Sequence, residues 1–326
     1  MLELTVPNSV SFHTANAFFS QNPFFEEAGG LARVTLHPRW MHIEPFGMAM
    51  LAAWGAWCRR HGVRVEVENL GPKADYAWRM HLFQFLGVEY QPQRVEREEA
   101  GRFLPVTQVR NGADIRAVIG DISALLHLQH NPESLAAVQY CVSELLRNVI
   151  EHSNSSDGAF ICAHNYDRAD PARVTIAVAD CGVGIRAHLG RAYPEAQVND
   201  WNAVTMAMRP GITGAIPGMY GTPDNAGAGL FITRSIAKGS GGYFLVASGE
   251  ACYRLRRAKG PEAQTELPLD PTFDRHDKWV FPHPWQGTVV SMEIRTDQID
   301  DFDSYFAWIR KFVPAREEVT RRIRFT

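Results

Sequence analysis

The chain has 326 residues, enough for two ordinary domains, and its 45% apolar content suffices to build a core. Its net charge of −3 gives no general attraction to nucleic acid or anionic membrane. Five cysteines (Cys58, Cys141, Cys162, Cys181 and Cys252) are scattered without a Cys-x-x-Cys pair, which excludes a zinc ribbon or a disulfide framework and suits a reducing compartment.

The opening "MLELTVPNSV" has neither the basic start nor the apolar run of a secretory signal, so a cytoplasmic protein is expected. The first hundred residues alternate strand and helix. "LELTV", "ARVTLH" and "VRVEVENL" read as strands; "FHTANAFFS", "PFGMAMLAAWGAWCRRH" and "ADYAWRMHLFQFLG" read as helices, the last closed by Gly87. The apolar run Phe46 to Cys58 is too short to span a bilayer and predicts a buried helix. Residues 1–92 therefore form a small α/β domain. Residues 93–112 are charged, carry Pro105 and lack a helical period, and are read as a linker.

The second part, 113–300, opens with helical "DIRAVIGDISALLHLQH". Pro132 starts a further helix, at a position where a missing N–H costs nothing. Strands "GAFICAHNY" and "RVTIAVAD" follow, then a Gly/Pro-rich stretch, a helix from about Leu230 to Lys238, and strands "YFLVAS", "CYRLRR" and "GTVVSMEIR". Residues 301–326 are read as an amphipathic helix, "DFDSYFAWIRKFV", and a tail whose glutamates offset its arginines.

Four motifs stand in order along this part. In the helix segment "SELLRNVIEHS" Leu145, Leu146, Val149 and Ile150 follow the spacing of a helix with one buried face, while Glu144, Asn148 and His152 fall four apart along a single stripe. "VADCGVGI" places Asp180, Gly182 and Gly184 at the end of a strand. "NAGAGLFITRSIA" places Gly227, Gly229 and Leu230 at a helix start, and "QGTVVSMEI" places Thr288 at the start of a late strand. Singly, each has an ordinary reading as a turn, a strand–helix connection or a solvated helix face. In this order they resemble the GHKL ATPase superfamily, which includes histidine kinase catalytic domains, type II topoisomerases, mismatch-repair ATPases, large heat-shock chaperones and anti-sigma serine kinases. The resemblance covers about Ala113 to Thr296.

The resemblance implies a two-layer α/β sandwich of the Bergerat type with a mixed sheet, binding ATP and Mg²⁺. It assigns Asn148 to the Mg²⁺ ion, which takes hard oxygen ligands shared with phosphates. It matches Asp180 to an aspartate that accepts a hydrogen bond from the adenine amino group, and Thr288 to a threonine near the base. Gly182 and Gly184 would let the backbone pass close to the base. Gly227, Gly229 and Leu230 would open a helix whose free N–H groups hold phosphate. Glu144 is placed to orient or deprotonate an attacking water or hydroxyl. Residues 186–226 correspond to the ATP lid, with "NDWNAVTMAM" as a short lid helix.

In the N-terminal half, "GLARVTLHPRWMHIEPFGMAMLAAWGAWCRRHGVRVEVE" resembles a STAS domain. The serine that precedes the glycine in phosphorylatable STAS domains is replaced here by Phe46, which excludes phosphorylation at that site. The pairing implies an ATP-binding regulatory protein of signal transduction, a protein serine/threonine kinase or ATPase that meets a protein partner through its STAS-like domain, with a homodimer as its assembly. An ATP-hydrolysing clamp and a non-catalytic ATP sensor are the other readings.

Overall fold

A computed structural model describes residues 1–26, 29–39, 41–93, 102–126, 128, 130–212, 227–257, 260, 264–299 and 301–313. In the N-terminal unit, β1 (Leu2–Val6), β3 (Leu31–Leu36) and β5 (Arg64–Glu68) form a parallel sheet in the order β1-β3-β5, and β2 (Ser9–Val10) pairs with β4 (His42–Ile43). Between the strands run α1 (Ala15–Gln21) and α2 (Pro45–Arg60). Pro45 opens α2 where its ring fits, and of the whole helix only Trp57, Arg59 and Arg60 escape full burial. A helix apolar on every side must be enclosed on every side. The single helix expected over "ADYAWRMHLFQFLG" is instead two, α3 (Asp75–Arg79) and α4 (Leu82–Leu86), broken where His81 turns to φ +61°. Gly87 closes α4 in the left-handed conformation, as expected.

The C-terminal unit is built on a five-stranded sheet in the order β6-β7-β8-β10-β9. Its strands are β6 (Phe103–Val109), β7 (Ala159–Tyr166), β8 (Arg173–Asp180), β9 (Phe244–Leu255) and β10 (His276–Arg295). All four pairings are antiparallel, where a mixed sheet was expected. The two strands expected at "YFLVAS" and "CYRLRR" are one strand, β9. The expected linker also needs correction, because residues 103–109 form β6, an edge strand paired with β7. Its register shifts between Leu104 and Thr107, so Pro105 sits at an irregularity of an edge strand, where a missing N–H is tolerated. Residues 94–101 of that segment lie outside the described residues.

One face of the sheet carries α5 (Gly112–Leu125), α6 (Pro132–His152), α10 (Gly229–Gly239) and α11 (Phe302–Arg310). Ile161, Val174, Ile176, Val178, Val290 and Met292 point into that layer. The alternate residues of the same strands, Phe160, Cys162, Ala177, Ala179, Leu245, Ala247 and Val289, share a core with α1, α2 and α4. The period of two along each strand thus feeds two cores, and the N-terminal unit is a third layer over the sheet. Small residues at Ala177 and Ala179 let α2 approach closely. No described helix is long and apolar enough to cross a membrane.

Candidate functional site

The floor of the site is α6. Asn131 caps it by accepting the Ser134 N–H at 2.9 Å, and its buried face of Val138, Cys141, Val142, Leu145 and Leu146 seats it on the sheet. That seating leaves Glu144 and Asn148 facing α10. A Cβ added to Gly229 would lie 2.7 Å from Glu144 Oε2 and 3.4 Å from Asn148 Nδ2, so glycine here keeps the space beside both side chains open. Glu144 is 9% exposed, and burial raises the proton affinity of its carboxyl, opposed by Arg147 and reinforced by Glu151.

The start of α10 supplies the facing wall. Gly227, at φ +83°, accepts the Gly211 N–H at 2.9 Å, a conformation and a proximity that exclude a side chain. Ala228 at the N-cap offers no side-chain cap, and among the described residues no side chain takes the N–H groups of the first turn, from Gly229 and Leu230 on, so this helix start can meet an anion. The other end of α10 is fixed internally: Lys238 Nζ lies 2.5 Å from Asp274 Oδ1 and Arg234 Nε 3.5 Å from Asp274 Oδ2, all three groups buried.

Asp180 ends β8, the central strand, directly opposite Thr288 on β10. It is 1% exposed. Its Oδ1 accepts the Gly182 N–H at 2.7 Å, while its Oδ2 is buried and has no hydrogen-bond partner among the described residues. Burial pushes its pKa up to about 7, held back by the amides of Gly182 and Thr288. An unsatisfied buried carboxylate oxygen is costly unless a ligand supplies the donor. A Cβ on Gly182 would lie 2.1 Å from Ser153 O, and Gly184, at φ +77°, passes within Cβ reach of Ser248 Oγ. The Asp180 turn is therefore packed against the end of α6, where Ser153 O accepts the Val183 N–H at 2.8 Å. The motifs read from the sequence thus fall into two clusters, Glu144, Asn148 and Gly229 in one, and Asp180, Gly182, Gly184 and Thr288 in the other, joined by α6.

Several contributors carry no motif. Trp285 Nε1 donates to Asp180 O at 3.1 Å, Gln286 Nε2 donates to Cys181 O at 3.1 Å, and Ser248 Oγ bridges Ile185 N and Gly287 O. They act on backbone carbonyls and amides from an irregular strand, a role that residue spacing does not encode. His152 stands beside His188 on α7 (Gly184–Leu189), with ring centroids 4.7 Å apart, rather than on a nucleotide-facing atom. Burial lowers both imidazoles, His188 to about 4. Of the expected lid, α7, α8 (Pro194–Gln197) and α9 (Asp200–Ala207) are described and residues 213–226 are not. The expected lid helix is α9, and it is pinned to the sheet: Asp200 Oδ2 accepts the Glu250 N–H at 3.0 Å, over Gly249.

The donor set fits a nucleoside triphosphate: a lone buried acceptor for an exocyclic amine at one end, and a free helix N-terminus beside a carboxylate and an amide at the other. Among the described residues, no group of three or more His, Cys, Asp or Glu could hold a metal alone. A cation at Asn148 would complete its shell from phosphates and water, as Mg²⁺ does. Residues 108–239 match the family model for the histidine kinase-like ATPase domain. The match supports placing this segment in the GHKL-type superfamily. It includes every expected site residue except Thr288, which is located by its pairing with Asp180. A search of curated proteins finds no significant match.

Proposed function

We propose that this chain is an Mg²⁺-dependent, ATP-binding regulatory protein that transfers the γ-phosphoryl group to a hydroxyl of a protein partner. The buried Oδ2 of Asp180, which has no hydrogen-bond partner among the described residues, carries the nucleotide reading. Adenine presents an amino group where guanine presents a carbonyl, so this oxygen selects ATP. Asn148 would hold Mg²⁺, whose contribution when bound is to neutralise phosphate charge. In the transfer, the attacking hydroxyl oxygen bonds to the γ-phosphorus, the bond to the β-phosphate oxygen breaks, and the hydroxyl proton passes to Glu144. Its buried carboxylate, beside Gly229, holds a proton more strongly than a free carboxylate does and is the better base for it. Hydrolysis in a conformational clamp would use the same groups on water, and an ATP sensor would use them only to bind.

The partner is proposed to dock through the STAS-like N-terminal unit. Phe46 and the first turns of α2 are buried, so docking would use the outward face of its sheet, where Arg33 pairs with Glu68 and Arg64 with Glu66. Assembly as a homodimer belongs to the same proposal. The test is incubation with γ-labelled ATP and candidate partner proteins, comparing wild type with Glu144→Gln. The proposal expects label on a protein hydroxyl, reduced about 10²–10⁴-fold in the variant, with ATP still bound. Label appearing only as free phosphate would favour the clamp, and no release with intact binding would favour the sensor.

A further inference from the structure

The pairing of β10 with β9 is regular at both ends but shifts between Val280 and Trp285 and again between Trp285 and Thr288. The residues of this irregularity lie between two things that sequence gives no reason to connect. On one side is the N-terminal segment Phe19 to Glu26. Phe281 stacks on Phe19 with centroids 4.3 Å apart, His283 Nδ1 lies 2.8 Å from Glu26 Oε1, and Trp285 meets the rings of Phe24 and Phe25 at 5.3 and 5.0 Å. On the other side is the Asp180 turn. Trp285 Nε1 donates to Asp180 O, and Gly287, at φ +95°, would place a Cβ 2.3 Å from that same oxygen. Trp285 is 1% exposed, so its indole has one arrangement, set by the N-terminal rings on one side and by the Asp180 carbonyl on the other.

We propose that Trp285 is a positioning residue for the base-binding end of the site, and that through it the packing of Phe19 to Glu26 sets the affinity for the adenine nucleotide. The inference rests on the ATP reading given above. Its physical basis is that the Asp180 carbonyl fixes the turn from which the carboxylate points. An indole N–H on that carbonyl removes freedom from the turn before the base arrives. Linkage requires the reverse effect as well: a nucleotide held on Asp180 must tighten the N-terminal segment that Trp285 touches. The N-terminal unit then regulates the site from behind the sheet, without contacting nucleotide.

The experiment compares the 326-residue wild type, Trp285→Phe and Phe25→Leu, titrating ATP and inorganic tripolyphosphate, which has no base. Hydrogen exchange over residues 18–26 is read with and without ATP. Trp285→Phe keeps an aromatic ring but loses the donor, and Phe25→Leu alters only the half-buried ring on the N-terminal side. The inference expects ATP to bind about five- to fifteen-fold more weakly to Trp285→Phe, the worth of one buried hydrogen bond, with tripolyphosphate binding unchanged. It expects a smaller, two- to threefold loss in Phe25→Leu, roughly the worth of one aromatic contact. ATP should slow exchange over residues 18–26 in wild type but not in Trp285→Phe. If Trp285→Phe does not fold, the Phe25→Leu affinity and the wild-type exchange decide. Wild-type ATP affinity in the variants, or exchange over 18–26 indifferent to ATP, overturns the inference and leaves the ATP reading standing. A wild type that binds no ATP overturns both.

Discussion

In the proposed function Asp180 holds the chemistry of the base-binding end in a single carboxyl group, and its burial gives that proposal a pH dependence. Its folded pKa, about 7, lies above the ordinary 3.8. Between those values the folded chain binds a proton that the unfolded chain has lost, so this group withdraws stability as pH rises from about 4 to about 7. Ligand binding runs the other way, because the ionised carboxylate is the stronger acceptor for an amine. ATP affinity should therefore rise between about pH 6 and pH 8, and calorimetry should find that rise flattened in Asp180→Asn. The residues of this site were legible in the sequence because each does something that residue type reveals: an acid, an amide, or a glycine that must lack a Cβ. Trp285, Gln286 and Ser248 were not. They act on backbone atoms of the Asp180 turn, and their places depend on a strand irregularity that has no signature in composition or spacing.

At the scale of elements, α6 and α10 carry the candidate site, and each is held by a polar device, half-buried for α6 and buried for α10. Asn131 both caps α6 and donates to Thr296 O at 3.0 Å. Asp274 pairs with both Arg234 and Lys238 on α10. Asp274→Ala would leave two buried cations without their acid, at a cost of about 3–5 kcal/mol, which urea unfolding would measure. Loss of under 1 kcal/mol would mean that α10 is held by its apolar face alone. The helix α6 was legible from its period and from Pro132 because both are local. The strand β6 was not, since Pro105 argues against a strand unless a register shift at a sheet edge accommodates it. The break between α3 and α4 was equally hidden. His81 adopts φ +61°, a conformation uncommon for any residue with a Cβ even though His tolerates it better than most, so residue type alone does not predict the break.

For the whole molecule, the sheet is a shared wall between two cores, and neither unit is complete alone. The near-continuous apolar runs of β7 and β8 are those of strands covered on both faces. In the sequence they read only as strands; that residues 1–92 supply a second cover depends on how the two units pack, which strand spacing does not encode. Removing residues 1–92 should expose Phe103, Phe160, Leu245, Val289 and Trp285 together, an apolar patch large enough to drive association. Size-exclusion chromatography of 93–326 is expected to show aggregates. A monomeric fragment with wild-type ATP affinity would contradict the three-layer account.

The central claim is that Asp180 reads adenine. Isothermal titration of ATP and of GTP, with Mg²⁺, into wild type and Asp180→Asn tests it most directly. The account predicts binding of ATP in clear preference to GTP, weakened about 5- to 150-fold in the variant, the range expected when a buried acceptor loses its partner. Equal binding of the two nucleotides, or ATP binding indifferent to Asp180→Asn, would contradict it.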